Sequence, residues 1–143
     1  MKYLLSILIL LGFISASTAE GTDQLLEIKV NELSIYKKEG LLGIEEEKVK
    51  LDYDLSNKYE KLIKLADHKL VAKDLLGEIV TVFRLEQDIY LPSNIQKSFV
   101  RDSDMDWLSY NPYRLRKIKL EDLVFEYEVK SIVFEDNVTL NIE

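Results

Sequence analysis

From Val49 to Leu55 the chain alternates without a break. Val49, Leu51, Tyr53 and Leu55 are apolar, while Lys50, Asp52 and Asp54 are charged. A period of two with one charged face predicts a strand whose other face enters a core. Ser56-Asn57 ends the run. Beyond it Ile63 and Leu65, then Leu70 and Ala72, then Ile79, Thr81, Phe83 and Leu85 again fall at alternate positions, with a turn at Asp74 to Gly77. The change of parity between Leu65 and Leu70 predicts a bulge at Asp67-His68, with His68 exposed on it. Tyr59, Leu62, Ile63 and Ala66 also fit a helical stripe capped by Ser56 or Asn57. The run continues to Lys73 without a helix stop, which favours a strand.

The flanking regions repeat the pattern. Leu26, Ile28 and Val30 change parity to Leu33 and Ile35 across Asn31-Glu32, as a bulge or tight turn would cause. Lys37 to Glu47 holds two glycines and a charge cluster. It reads as a surface connection, with Glu45, Glu46 and Glu47 in a solvated loop and the next strand starting near Lys48. Leu91 to Asn94 reads as a turn, because Pro92 cannot donate to a sheet. Ile95 to Arg101 is a short strand, and Asp102 to Tyr113 a loop or one helical turn ended by Asn111-Pro112. Leu123, Phe125, Tyr127 and Val129 alternate; Ile132 and Phe134 follow after a parity change. Asp136-Asn137 is a two-residue turn, and Val138, Leu140 and Ile142 alternate to the end. The sum predicts an all-β chain, an antiparallel β-sandwich of about seven strands. Its expected core contains Leu51, Tyr53, Ile63, Leu70, Phe83, Phe125, Tyr127 and Phe134.

Composition adds an address. With 143 residues, 31% charged and 47% hydrophobic, the chain suits one globular domain. Met1 to Ala19 stands apart from it. Lys2 is followed by an apolar run of 11 residues, Leu4 to Ile14, and then by small residues with Ser17 and Ala19 where a signal peptidase reads. That is the layout of a secretory signal peptide. The expectation is a leader over 1–19, a single domain over 20–143, and a secreted or periplasmic (extracytoplasmic) location. No charged stop-transfer segment follows, and no cysteine offers a lipid attachment point, so no stable membrane anchor is expected after cleavage.

The net charge is −7, and loss of Lys2 would make it −8. Such a surface is poorly suited to nucleic acid, which selects basic residues, and is repelled by anionic membranes. The absence of cysteine excludes thiolate metal sites, cysteine nucleophiles and redox motifs.

Candidate chemistry is sparse. His68 is the only histidine, so histidine triads and multi-histidine metal sites are not available. Asp102, Asp104 and Asp106 are spaced like the start of a calcium loop, but the loop's glycine is missing and Tyr113 stands where its last glutamate belongs. No metal or cofactor is expected. No local motif lifts any pair of carboxylates into a glycosidase-like arrangement, and G-x-S-x-G and glycine-rich phosphate loops are absent. Trp107, Tyr110 and Tyr113 are the one cluster that stands out. They recur every third residue and carry large apolar area with polar tips, as recognition residues do. The reading that comes ahead of it is a small satellite core closing one end of the sandwich, which is where most aromatics of small domains go. Arg114, Arg116, Lys117 and Lys119 form a basic run that would meet an acidic partner or guard an exposed sheet edge.

Several ordered features resemble one family. Tyr53-Asp54-Leu55-Ser56-Asn57 is a strand closing on asparagine. Ile63 to Leu70 follows and runs into the turn Lys73-Asp74-Leu75-Leu76-Gly77, and Ile132-Val133-Phe134-Glu135-Asp136 comes near the end. Over Gln24 to Leu140 this is similar to an FxLYD-like family of Ig-like β-sandwich domains in bacterial secreted proteins and lipoproteins. His68 replaces a usual glycine, and Asn137 stands where glycine would follow Asp136. The resemblance implies an exported Ig-like sandwich without catalytic residues, often a module for contact with other molecules. The expectation is therefore a non-enzymatic binding or structural module whose partner is a protein or an envelope component. A small exported inhibitor or immunity-type protein is the alternative, with a carboxylate-based enzyme behind both.

Overall fold

The computed structural model describes residues 25–142, so the expected leader and the boundary before Glu20 lie outside the described residues. Among these residues eight strands form: β1 (Leu26–Glu39), β2 (Glu45–Asn57), β3 (Ile63–Lys73), β4 (Ile79–Arg84), β5 (Asp88–Leu91), β6 (Gln96–Asp104), β7 (Val124–Phe134) and β8 (Thr139–Asn141). Two antiparallel sheets result. The first has the order β1-β2-β6; the second runs β4-β3-β7-β8, with β5 also paired to β3. This is the expected all-β sandwich. The alternating residues Val49, Leu51, Tyr53 and Leu55 are all buried, as is every member of the expected core from Leu51 to Phe134.

Polar groups tie the two sheets together. The Tyr53 hydroxyl on β2 accepts from the Glu86 N–H, in the kink between β4 and β5, at 3.3 Å. Asn57 closes β2 as a fully buried residue. Its Nδ2 donates to the carbonyls of Lys61 and Leu91, both at 2.9 Å, and its Oδ1 accepts from the Tyr59 N–H at 2.9 Å. Among the described residues no buried side-chain nitrogen or oxygen lacks a hydrogen bond, as a stable interior demands.

The parity changes mark real bulges, though one sits elsewhere than expected. In β1 the register slips between Val30 and Glu32, leaving Asn31 as the extra residue of one continuous strand. In β3 the inward face switches at Lys64-Leu65, where the register against β7 also slips, so that Leu65 is exposed and Ala66 buried. The slip at Asp67-His68 comes from β7, which skips Lys130 in pairing Asp67 with Ser131 and His68 with Val129.

His68 is therefore buried rather than exposed. Its inward parity joins those of Leu70 and Ala72, and two hydrogen bonds satisfy it. Nε2 lies 2.6 Å from the Glu86 carbonyl, which can only accept, so Nε2 carries the proton. Nδ1 then accepts from the Tyr127 hydroxyl at 2.7 Å.

Burial lowers the His68 pKa below the usual 6.5, against smaller opposing contributions from the Glu86 carbonyl and nearby carboxylates. The folded state thus favours the neutral ring. Stability is full above the unfolded-state value and falls as the pH drops below about 6.5, where the unfolded chain takes up a proton that the folded one refuses. The loss is limited to about 1.4 kcal/mol per pH unit, one proton's worth, and ends at the lowered folded pKa. Urea unfolding between pH 7.5 and 5.5 should show this decline in the wild type and not in His68→Gln. An equal decline in both would assign it to other groups.

Other expectations are corrected. Glu45, Glu46 and Glu47 belong to β2, where they face Glu39, Lys38 and Lys37 of β1. Strand β5 has no forerunner in the sequence reading: its four residues hold only two buried positions, Ile89 and Leu91, too short an alternation to stand apart from the turn at Pro92. At the end of the chain Val138 and Leu140 are exposed, since β8 is a short edge strand.

Candidate functional site

At one end of the sandwich β1 and β6 finish and β2 begins, while in the other sheet β3 finishes and β4 and β7 begin. The chain crosses there from β6 to β7 through 3-10 turns at Met105–Trp107, Pro112–Arg116 and Leu120–Asp122. The apolar residues of this crossover have no single period. Met105, Pro112, Leu115, Leu120 and Leu123 nonetheless all turn inward and close the end of the core. They form the satellite packing that the aromatics were the other candidates for.

The aromatics face outward. Trp107 is 84% exposed, Tyr110 67% and Tyr113 42%. Tyr113 and the Trp107 turn are joined, because the Tyr113 hydroxyl donates to the carboxylate of Asp106. That bond, more than burial, raises the pKa of the phenol. The Arg116 guanidinium lies 5.0 Å from the Tyr113 ring centroid, within cation–π range. Tyr110 occupies a different place. It has φ 64°, in the left-handed region a bulky side chain rarely adopts. Bonds on either side hold it there: the Thr81 hydroxyl donates to the Ser109 carbonyl and the Asn111 N–H to the Val80 carbonyl, each at 3.0 Å. These clasp the segment to β4. Tyr110 thereby borders a cleft of about 670 Å³ on the outer face of the five-stranded sheet.

The two arginines of the basic run pair within the fold. Arg114 Nη2 donates to Asp74 at 2.6 Å, and Asp74 also accepts from the N–H groups of Leu76 and Glu78, both at 2.9 Å. The arginine bond first, then the backbone bonds, pull the Asp74 pKa below its ordinary value. Arg116 Nε donates to Glu47 at 2.7 Å. One arginine thus pins the crossover to the β3–β4 turn and the other to β2.

The three spaced aspartates are held apart by different partners. Asp102 accepts from Tyr36 at 2.6 Å, Asp104 from Lys48, and Asp106 from Tyr113. The Asp102 bond, followed by burial, pushes the Tyr36 hydroxyl up to about 12. Among the described residues no cluster of histidine, cysteine and carboxylate side chains is arranged to hold a metal, and no helix is long and apolar enough to cross a membrane.

A feature that sequence reasoning passed over is the tip of the β1–β2 hairpin, where Leu41, Leu42 and Ile44 stand in solvent. Three aliphatic residues beside glycines in a charged stretch were the available signal. No protein-family model, curated protein or solved structure matches the chain.

Proposed function

We propose that the chain is an exported, non-enzymatic contact module, and that it binds a protein or an envelope polymer through the 105–116 crossover with Trp107 as the anchor. The observation that carries this is the pairing of a highly exposed tryptophan with an anchored backbone. Trp107 is 84% exposed, while its neighbour Met105 is buried and the crossover is held by Arg114–Asp74 and Arg116–Glu47. An aromatic on an anchored backbone gives up only its own two side-chain torsions on binding, and such residues dominate contact energy. Export rests on the leader-like 1–19, and the contact role also on the resemblance to Ig-like sandwich modules.

The test is capture from the organism's own envelope fraction, with wild type and Trp107→Ala run side by side. A component held by wild type should be lost from Trp107→Ala, with affinity falling by about 2 kcal/mol or more, near thirtyfold. Equal recovery by both proteins would defeat the proposal.

A further inference from the structure

The β1–β2 hairpin continues past its sheet. Lys48 pairs with Asp104 at the end of β6, yet β1 and β2 go on pairing through Lys37↔Glu47, Lys38↔Glu46 and Glu39↔Glu45. The tip is closed by the Gly40 N–H donating to the Ile44 carbonyl at 2.8 Å and the Gly43 N–H to the Gly40 carbonyl at 3.3 Å. On it Leu41 is 94% exposed, Leu42 95% and Ile44 64%. Leu42 has φ 74°, in a turn geometry that asparagine, aspartate or glycine adopts at lower cost. The most exposed position of the hairpin is thus given to an aliphatic side chain against local preference.

Carboxylates collar this tip. Glu39 faces Glu45 directly across the hairpin, a like-charge pair that opposes it. A Cβ on Gly40 would lie 2.9 Å from Glu46 Oε1, so that carboxylate lies against the tip. Glu45 and Glu46 have lysine partners; Glu39 has none among the described residues.

The cleft beside Tyr110 is the complement. Val82 and Ile142 supply apolar surface, and Lys69, Arg84 and Lys130 line it against the two carboxylates Asp67 and Glu128. Lys69 is paired to Glu128 at 3.1 Å. Arg84 and Lys130 have no ion-pair partner among the described residues. On an acidic chain this is a locally cationic, partly apolar hollow.

We propose that the hairpin tip of one copy docks into this cleft on a second copy, with Leu42 on the apolar surface and Glu39 meeting Arg84 or Lys130. The contact uses two different patches, so it propagates head to tail. A lipid surface is the rival occupant of an apolar tip, but the carboxylates beside it and the negative net charge disfavour that. The inference is independent of Trp107, and Trp107→Ala should leave self-association unchanged.

Sedimentation velocity over a wide concentration range tests it, using the protein in the form its host accumulates. Wild type should self-associate, less so at high salt. Leu42→Asp and Arg84→Glu should each weaken association by about tenfold or more. Both positions are exposed, and aspartate tolerates the left-handed turn, so both variants should fold. Mixed together, they should form a one-to-one complex, because one keeps the cleft and the other keeps the tip. A wild type that stays monomeric throughout, or a mixture that forms no complex, would overturn the proposal. So would monomeric protein that floats with phosphatidylcholine vesicles and loses this on Leu42→Asp.

Discussion

Replacing Phe134 by alanine should lower the unfolding free energy by about 3–5 kcal/mol, the range for large aromatic truncations in cores. Phe134 ends β7 on the core side, and the Tyr59 ring meets its ring edge-on at 5.3 Å and 70°. Its backbone N–H also donates to the Val138 carbonyl in the closing turn. Truncation leaves a cavity that Tyr59, tied back through the Asn57 side chain, is poorly placed to fill. Urea unfolding measures the change, and a loss below about 1 kcal/mol would mean that Phe134 contributes no core packing.

His68→Ala should cost a similar amount for a different reason. The lost ring leaves a cavity of about 2 kcal/mol or more. It also strips the Tyr127 hydroxyl and the Glu86 carbonyl of their partner, at about 1–3 kcal/mol for each group left unsatisfied. Together these come to roughly 4–8 kcal/mol in order of magnitude, the low end overlapping the range for Phe134. Tyr127→Phe separates the two contributions. If the unpaired hydroxyl accounts for much of the loss, His68→Ala should be milder in the Tyr127→Phe background than alone. Strictly additive losses would show that the hydrogen bond contributes nothing.

These two residues illustrate what the chain made legible. Alternation alone places Phe134 in the core, as it does Tyr53, Leu70 and Tyr127, because a half-buried strand writes its inner face directly into a period of two. The same pattern misreads His68, which is buried. A parity change reports that a strand pair slips but not which strand carries the extra residue. Here β3 slips at Lys64-Leu65 and β7 at Lys130. The glutamates 45–47 looked like loop because strand residues beyond the edge of the core have no apolar alternation to show. At the candidate site, the residue types were legible and their orientation was not. Trp107 faces water and Met105 faces the core although both fall within one short turn. A non-periodic segment encodes facing through tertiary contacts, here Arg114 with Asp74 and Thr81 with Ser109, that lie 40 and 28 residues apart in sequence.

Trp107 is displayed by the fold and does not support it. Urea unfolding of Trp107→Ala, followed by far-ultraviolet circular dichroism, tests this without knowledge of any partner. The predicted result is a stability within about 0.5 kcal/mol of wild type, as for other exposed substitutions. A loss of about 3 kcal/mol or more would place the indole in the core and contradict the account.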